Sequence, residues 1–468
     1  MDHKTFRTWA RRAADWSADY LQSVAERPVR AQAKPGDIVA QLPTAPPEQG
    51  EDMASIFDDV DKILMPGMTH WQHPRFFAYF PANSSPPSVI AEYLTATMAA
   101  QCMLWQTSPA ATELETLTLN WLRQMLNLPE SFHGVIQDSA SSATLAAILT
   151  GREHVLGFKG NQDGLAAHPP VRAYCSEQAH SSIDKAIWIA GIGQANLVKV
   201  ATAGGDSMDA EALEREVQAD LAAGRRPAVV IGTIGSTSVG AMDDLRAIGE
   251  VARRHGLYFH VDAAWAGSVL ICKEHRHLID GIELADSFVF NPHKWLLTNF
   301  DCTAHFIRDP KALVQTLGIQ PEYLKTEGEA GINYSEWSVP LGRRFRALKL
   351  WFVIRSYGVE QLREIIRNHI RMAAELAAKI DAHPDFELTT KPSLSLFSFR
   401  YTPAGAPALD DLNAKLLQTI NDDGRIYLTQ TRHKGDYVIR FQVGQLYTKD
   451  EDVDLAWEVI LELAGRQA

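Results

Sequence analysis

Cysteine is scarce in this chain of 468 residues. There are four, Cys102, Cys175, Cys272 and Cys302, with no C-x-x-C pair and no regular spacing. That excludes a disulfide scaffold and points to a reduced, intracellular protein. A basic excess is also missing. A net charge of -12 leaves nothing to neutralise phosphates, so neither a nucleic acid nor an anionic membrane surface is expected as a partner. No uninterrupted apolar run approaches the ~18 residues that a membrane span needs. The opening MDHKTFRTWARRAADW is charged and periodic and lacks the apolar centre of a signal peptide. The expectation is a soluble, cytoplasmic protein.

What is present suits a globular chain. Hydrophobic residues make up 46%, enough to build cores, and the length calls for two or three domains. Phe6, Trp9, Ala13, Trp16 and Tyr20 step by three and four and so share one face of a first helix. A proline-rich, extended stretch follows, then a short amphipathic run from Ile56 to Leu64. An aromatic helix face needs a second layer, either in this chain or in a partner subunit. From Ser88 to Arg343, short apolar runs such as AVVIGTIG, LYFHVDAA and SFVFN alternate with helical patterns. This predicts a mostly parallel sheet covered on both faces. A long helical pattern from Leu348 towards Ile380 then leads into strands with helices between them, a smaller α/β or α+β domain. The expected division is residues 1–87, 88–347 and 348–468.

The chemistry-bearing residues stand at strand ends. LYFHV delivers Asp262 at its C-terminal end, and DSFVFN delivers Asn291, His293 and Lys294 at its own. In open α/β sheets, ligands bind at those ends. Asp262 and Lys294 read either as a structural ion pair or as two walls of one pocket. In VIQDSASSATLAAILTGRE a strand runs into small hydroxyl residues and then a helix, which is either an ordinary serine cap or an anion site built from helix-start N–H groups. His180 follows a further strand. A lysine amine that can form a Schiff base, an acid for a pyridine nitrogen and a cradle for a phosphate together meet the needs of pyridoxal 5'-phosphate (PLP). Asp262 supplies the acid, Lys294 the tether and the Ala140–Ser141 turn the cradle.

Six blocks in order resemble the group II PLP-dependent decarboxylases of the aromatic-L-amino-acid decarboxylase type. They are THWQHPRFFAYFPANSS, SPAATELE, QAHSS, HVDAAWAGS, FNPHKWLLTNFDC and PLGRRFRALKLWF. The resemblance implies an aspartate-aminotransferase-type (fold type I) α/β architecture. Its parts would be a mostly parallel seven-stranded sheet, a helical N-terminal dimerisation segment and a small α+β C-terminal domain, with the active site shared across a homodimer. It implies that Lys294 holds the cofactor, Asp262 meets the pyridine nitrogen and His180 stacks on the ring. Thr237 would line the pocket, and Ala140, Ser141, Asn291 and His293 would surround the phosphate. Trp71, Tyr79, Phe80, Pro81 and Ala82 would wall the substrate side, with Met103 coming from the other subunit. EGEAGINYSEWS resembles the family's mobile loop, with Tyr334 as the proton donor to Cα. Departures are Asp138 and Ser142, where many relatives carry glycine and glutamate, and Ala82, Gln101 and Met103 at the ring end of the pocket.

The implied activity is decarboxylation of an L-aromatic amino acid of the tryptophan, phenylalanine, tyrosine or dopa type to its amine. Alternatives within the family are an aryl-acetaldehyde synthase that releases peroxide and a decarboxylase of a non-aromatic amino acid. A cofactor-free binding paralogue is disfavoured by the intact Lys294, Asp262 and His180. A zinc hydrolase built on His275, His277, His293 and His305 is disfavoured because HRH is not H-E-x-x-H, so no metal is expected.

Overall fold

A computed structural model describes residues 1–204, 206–319 and 331–467. The chain divides into two compact units, residues 82–370 and residues 1–81 with 371–468. This differs from the expected three-way division. The N-terminal segment joins the C-terminal strands instead of standing alone, and the second boundary falls inside the long helix Arg346–Asp381 rather than at its start. Gly358, at φ 69° and ψ 162°, breaks that helix.

The unit of residues 82–370 holds a seven-stranded sheet. Its strands are β1 (His133–Gln137), β2 (Val171–Ser176), β3 (Leu197–Val200), β4 (Arg226–Thr233), β5 (Tyr258–Asp262), β6 (Ser287–Phe290) and β7 (Thr303–Ile307). The order is β1-β7-β6-β5-β4-β2-β3, and β7 alone runs antiparallel to its neighbours. β4 and β5 are buried almost throughout. Helices cover both faces, which is why these strands read as near-continuous apolar runs instead of alternating ones. The helix Leu245–His255 shows how the covering layer is specified. Asp244 caps its start by accepting the Ala247 N–H at 3.0 Å, Arg253, Arg254 and His255 close its last turn, and Gly256 leaves it at φ 68°.

Register sets up the site. Thr233 of β4 lies opposite Asp262 of β5, which lies opposite Val289 of β6. Because β1 also runs parallel to β4, β5 and β6, the segments after all four strands emerge on one edge of the sheet.

The other unit contains a four-stranded antiparallel sheet of β8 (Phe386–Ser393), β9 (Leu396–Tyr401), β10 (Thr429–His433) and β11 (Asp436–Gln442), in the order β8-β9-β11-β10. Phe77 from the N-terminal segment is fully buried in its core, stacked on Phe441. β10 starts only at Thr429, and the preceding Tyr427 bridges instead to Phe76. The first helix, His3–Ser23, docks only in part. Trp9 stacks on Phe57, Trp16 Nε1 donates to Asp61 at 2.7 Å and Tyr20 meets His70, yet no residue of the helix is buried. No helix among the described residues is long and apolar enough to cross a membrane.

Candidate active site

Asp262 ends β5 as a buried carboxylate, and the Ala264 N–H donates to its Oδ1 at 3.0 Å. The small residues after it serve close packing, since a Cβ at Gly267 would collide with Phe290 at the end of β6. β6 continues into Asn291, whose N–H donates to Ala264 O at 2.9 Å and ties the two strand ends together. Asn291 starts the short helical turn Pro292–Trp295 that carries Lys294. The carbonyl of Lys294 accepts from Asn83 Nδ2 at 2.8 Å, and the next residue, Trp295, is buried and donates to His369 Nδ1 at 2.9 Å. The backbone around Lys294 is therefore anchored in the interior, while its side chain is half-buried in the wall of a cavity.

That cavity measures about 160 Å³. Ala140 and Ser141, at the start of the helix Ala140–Val155, line it together with His180, Thr237, Asp262, Asn291 and Lys294. Ser139 caps the helix by accepting the Ser142 N–H at 3.2 Å. The helix-start N–H groups of Ala140 and Ser141 have no acceptor within the helix and suit an anion. Burial pushes the Asp262 pKa above the usual carboxylate range, against the pull of Lys294, the Ala264 N–H and His180. Burial, with Lys294, holds His180 below the ordinary histidine value, while Asp262 and Asp184 oppose the shift.

His293 and Tyr334 do not line this cavity. His293 Nδ1 accepts the Cys302 N–H at 2.9 Å, its ring lies 4.6 Å from that of Phe300, and burial drives its pKa down to about 3. Tyr334 is buried at 2% exposure in an apolar cluster with Val135, Ala146, Ile307, Leu313 and Trp337. Its hydroxyl lies 2.9 Å from Thr116 Oγ1, and the Arg343 guanidinium sits 4.9 Å from its ring centre. Residues 327–330 of the expected loop lie outside the described residues. Of the described residues 331–338, Gly331 and Ile332 are exposed, while Tyr334–Trp337 form a helical turn in which Tyr334 and Trp337 are buried.

The expected substrate wall is divided. Trp71, Tyr79, Phe80 and Pro81 belong to the unit of residues 1–81 and 371–468. There Trp71 stacks on Tyr79 at 5.8 Å, and the Arg440 guanidinium lies 5.4 Å from the ring centre of Phe80. Ala82 and Met103 share a unit with the cavity but do not line it. Asp138 is also outside the cavity wall. Burial works against the charge on Arg346, but the carboxylates of Asp301 and Asp138 outweigh it and raise the Arg346 pKa.

Sequence reasoning missed Ser139, Ser182, Thr233, Gly235, Ser236, Ala264 and Trp265 as cavity residues. The run TIGSTS, which starts on the last residue of β4, carried a signal like that of the serines after β1, small and hydroxyl residues close behind a strand. Gly235 has φ 77°, and a Cβ there would lie 2.6 Å from that of Ala266 and 2.7 Å from Trp265 Nε1. Among the described residues, no three His, Cys, Asp or Glu side chains gather as a metal site.

An amine, a buried carboxylate and a helix start converge on one cavity. The pyridoxal-dependent decarboxylase conserved domain matches residues 35–402 of this chain. The chain belongs to that family. It is 40% identical to the aromatic-L-amino-acid decarboxylase of Rattus norvegicus, over 99% of this chain and 98% of that protein. It is also 40% identical to the phenylacetaldehyde synthase of Arabidopsis thaliana, over 99% of this chain and 97% of that protein. The crystal structure of Oryza sativa TDC with PLP and tryptamine superposes with a TM-score of 0.96 at 36% identity, covering 100% of this chain and 99% of that one. The fold-type-I architecture and the PLP-dependent decarboxylase class expected from the sequence therefore hold.

Proposed function

We propose that this PLP-dependent carboxy-lyase converts an L-aromatic amino acid into the arylethylamine and carbon dioxide. The observation that carries the reading is the convergence of Lys294, Asp262 and the Ala140–Ser141 helix start on one cavity. When bound, PLP supplies an electron sink for breaking a bond at the substrate Cα. Lys294 would tether it, and Asp262 would hold a proton on its ring nitrogen. The Ala140 and Ser141 N–H groups, with Asn291, would take its phosphate, and His180 and Thr237 would pack beside its ring. The burial that penalises the Asp262 charge makes the carboxylate a strong partner for a cation brought to it. Two relatives of this chain bear names that point to aromatic substrates, which supports an aromatic amino acid here.

The oxidative reading has a specific support, since a decarboxylase and an aldehyde synthase match this chain with equal identity. Retention of both Tyr334 and His180 favours the non-oxidative route. Tyr334 would protonate Cα after leaving the cluster it occupies here, or would act in the cavity of a second subunit. A homodimer is supported by the helix Pro86–Met98, where Ile90, Tyr93, Leu94 and Met98 form one stripe and are each 41–57% exposed. A stable, active monomer in size-exclusion with light scattering would refute it. Cysteines that are all free and buried support a reducing, cytoplasmic location.

The test is Lys294→Ala in the full-length protein supplied with PLP. Borohydride should fix the cofactor to a Lys294 peptide in the parent and not in the variant. Fixation at another lysine would overturn the assignment.

A further inference from the structure

His180 lines the cavity with Asp262, Lys294 and Ser182. Its Nδ1 is engaged by one residue twice. The Ser182 backbone N–H donates to it at 3.1 Å, and Ser182 Oγ lies 2.8 Å away. A backbone N–H can only donate, so Nδ1 must offer its lone pair and the ring proton must sit on Nε2. The hydroxyl then donates as well. Ser182 is the first residue of the helix Ser182–Ile189, where N–H groups lack acceptors within the helix. The His180 ring provides one.

We propose that Ser182 is a positioning residue that holds His180 as a neutral ring with its proton on Nε2. The inference rests on the reading of this cavity as the PLP site. The charges facing the ring are Asp262 from β5, Lys294 from the turn after β6 and Asp184 on the helix Ser182–Ile189 that follows His180. The two carboxylates invite a second proton and Lys294 resists it. A proton on Nδ1 would set N–H against the Ser182 backbone N–H and forfeit that bond, leaving only the hydroxyl, turned to accept, as its partner. The consequence is electrostatic. A charged imidazolium would repel the cationic ring that Asp262 is placed to stabilise and would compete for the same carboxylate. A neutral ring keeps that carboxylate for the cofactor and leaves Nε2–H as the one polar group the imidazole has left to donate.

The test uses full-length, PLP-loaded protein and two variants. Ser182→Ala keeps the backbone N–H and removes the hydroxyl, and Ser182→Thr restores it. Ser182→Ala should lower kcat by about 3- to 10-fold, the worth of one neutral hydrogen bond, with KM within about two-fold. The hydroxyl can also accept from a protonated Nδ1, in a charge-assisted bond stronger than the one it gives the neutral ring, so its loss should move the acid limb of the pH–kcat profile to lower pH, and Ser182→Thr should move it back. Nitrogen-15 NMR of histidine-labelled protein, with His180 identified by its loss in His180→Asn, should show Nδ1 unprotonated in the parent and also in Ser182→Ala, whose backbone N–H still needs the lone pair. A protonated Nδ1 in the parent or in Ser182→Ala, or an acid limb unmoved in Ser182→Ala, would overturn the proposal. If no amino acid is turned over by any variant, the functional reading fails, and the NMR result still decides the role of Ser182.

Discussion

Replacing Asp262 with asparagine should move cofactor affinity and apo-protein stability in opposite directions. The side chain is 5% exposed, and asparagine keeps its shape and can still accept the Ala264 N–H that Asp262 now accepts at 3.0 Å. Only the charge is lost. In the holo protein that charge would be the partner of the protonated ring nitrogen. A hydrogen bond to a charged group contributes about 1.5–3 kcal/mol, so PLP should bind about 10- to 150-fold more weakly. In the apo protein the sign reverses. Burial raises the Asp262 pKa, so the unfolded chain ionises the group more readily than the fold does, and stability is lost as pH rises through that interval. At neutral pH the apo fold bears the cost of a buried carboxylate, and asparagine removes it. The assay is a PLP dissociation constant from fluorescence quenching at pH 7, paired with thermal melts of both apo proteins. Apo Asp262→Asn should melt at the same temperature as its parent or higher. Affinity within about two-fold of the parent would refute the pairing of Asp262 with the cofactor. An apo melt well below the parent would refute the electrostatic argument.

Further predictions concern residues away from the cavity wall. Tyr334→Phe should lower amine formation by about 10²–10⁴-fold, as loss of a positioned acid does, while losing only about 1 kcal/mol of stability with the Thr116 bond; single-turnover product analysis and melts separate the two effects, and parental amine yield would remove its protonation role. Arg343→Ala would strand Glu115, its partner at 2.7 Å in a pair with both side chains 2% exposed, and should cost about 3–5 kcal/mol in urea unfolding; a loss below about 1 kcal/mol would contradict this. His305 is fully buried with no hydrogen bond to either ring nitrogen among the described residues, and burial takes its pKa from 6.5 down to about 3. The unfolded chain therefore binds the extra proton below pH 6.5, and stability falls as pH drops from there towards 3. Between pH 7 and 5 the parent should lose about 2 kcal/mol more than His305→Leu, and equal losses would refute this.

Much of this was legible in the sequence because local patterns and tertiary needs agree. β4 and β5 are buried on both faces, so their apolar runs are continuous, and Asp262 and Lys294 follow directly from strand ends. The serines after β1 are at once a cap and a cavity wall, so a local rule found a functional feature. What stayed hidden depends on distant partners. Tyr334 is fixed by Thr116, 218 positions away in the chain, and no local pattern distinguishes a lid tyrosine from one packed in a cluster. His293 is taken up by the Cys302 N–H, a backbone group that carries no sequence signature. The joining of residues 1–81 to the C-terminal strands rests on pairs such as Phe77 with Phe441, which only the folded chain brings together. The two-residue contact between His180 and Ser182 was present in QAHSS, but serine after histidine does not reveal which ring nitrogen it meets.

The central claim is that this cavity removes carbon dioxide from an L-aromatic amino acid without oxidising the product. The measurement is one reaction of PLP-supplied protein with single L-aromatic amino acids, following amine, aldehyde, carbon dioxide, peroxide and dissolved oxygen together. Amine and carbon dioxide formed in equal amounts with oxygen untouched is the predicted result. Aldehyde and peroxide formed as oxygen is consumed would contradict it.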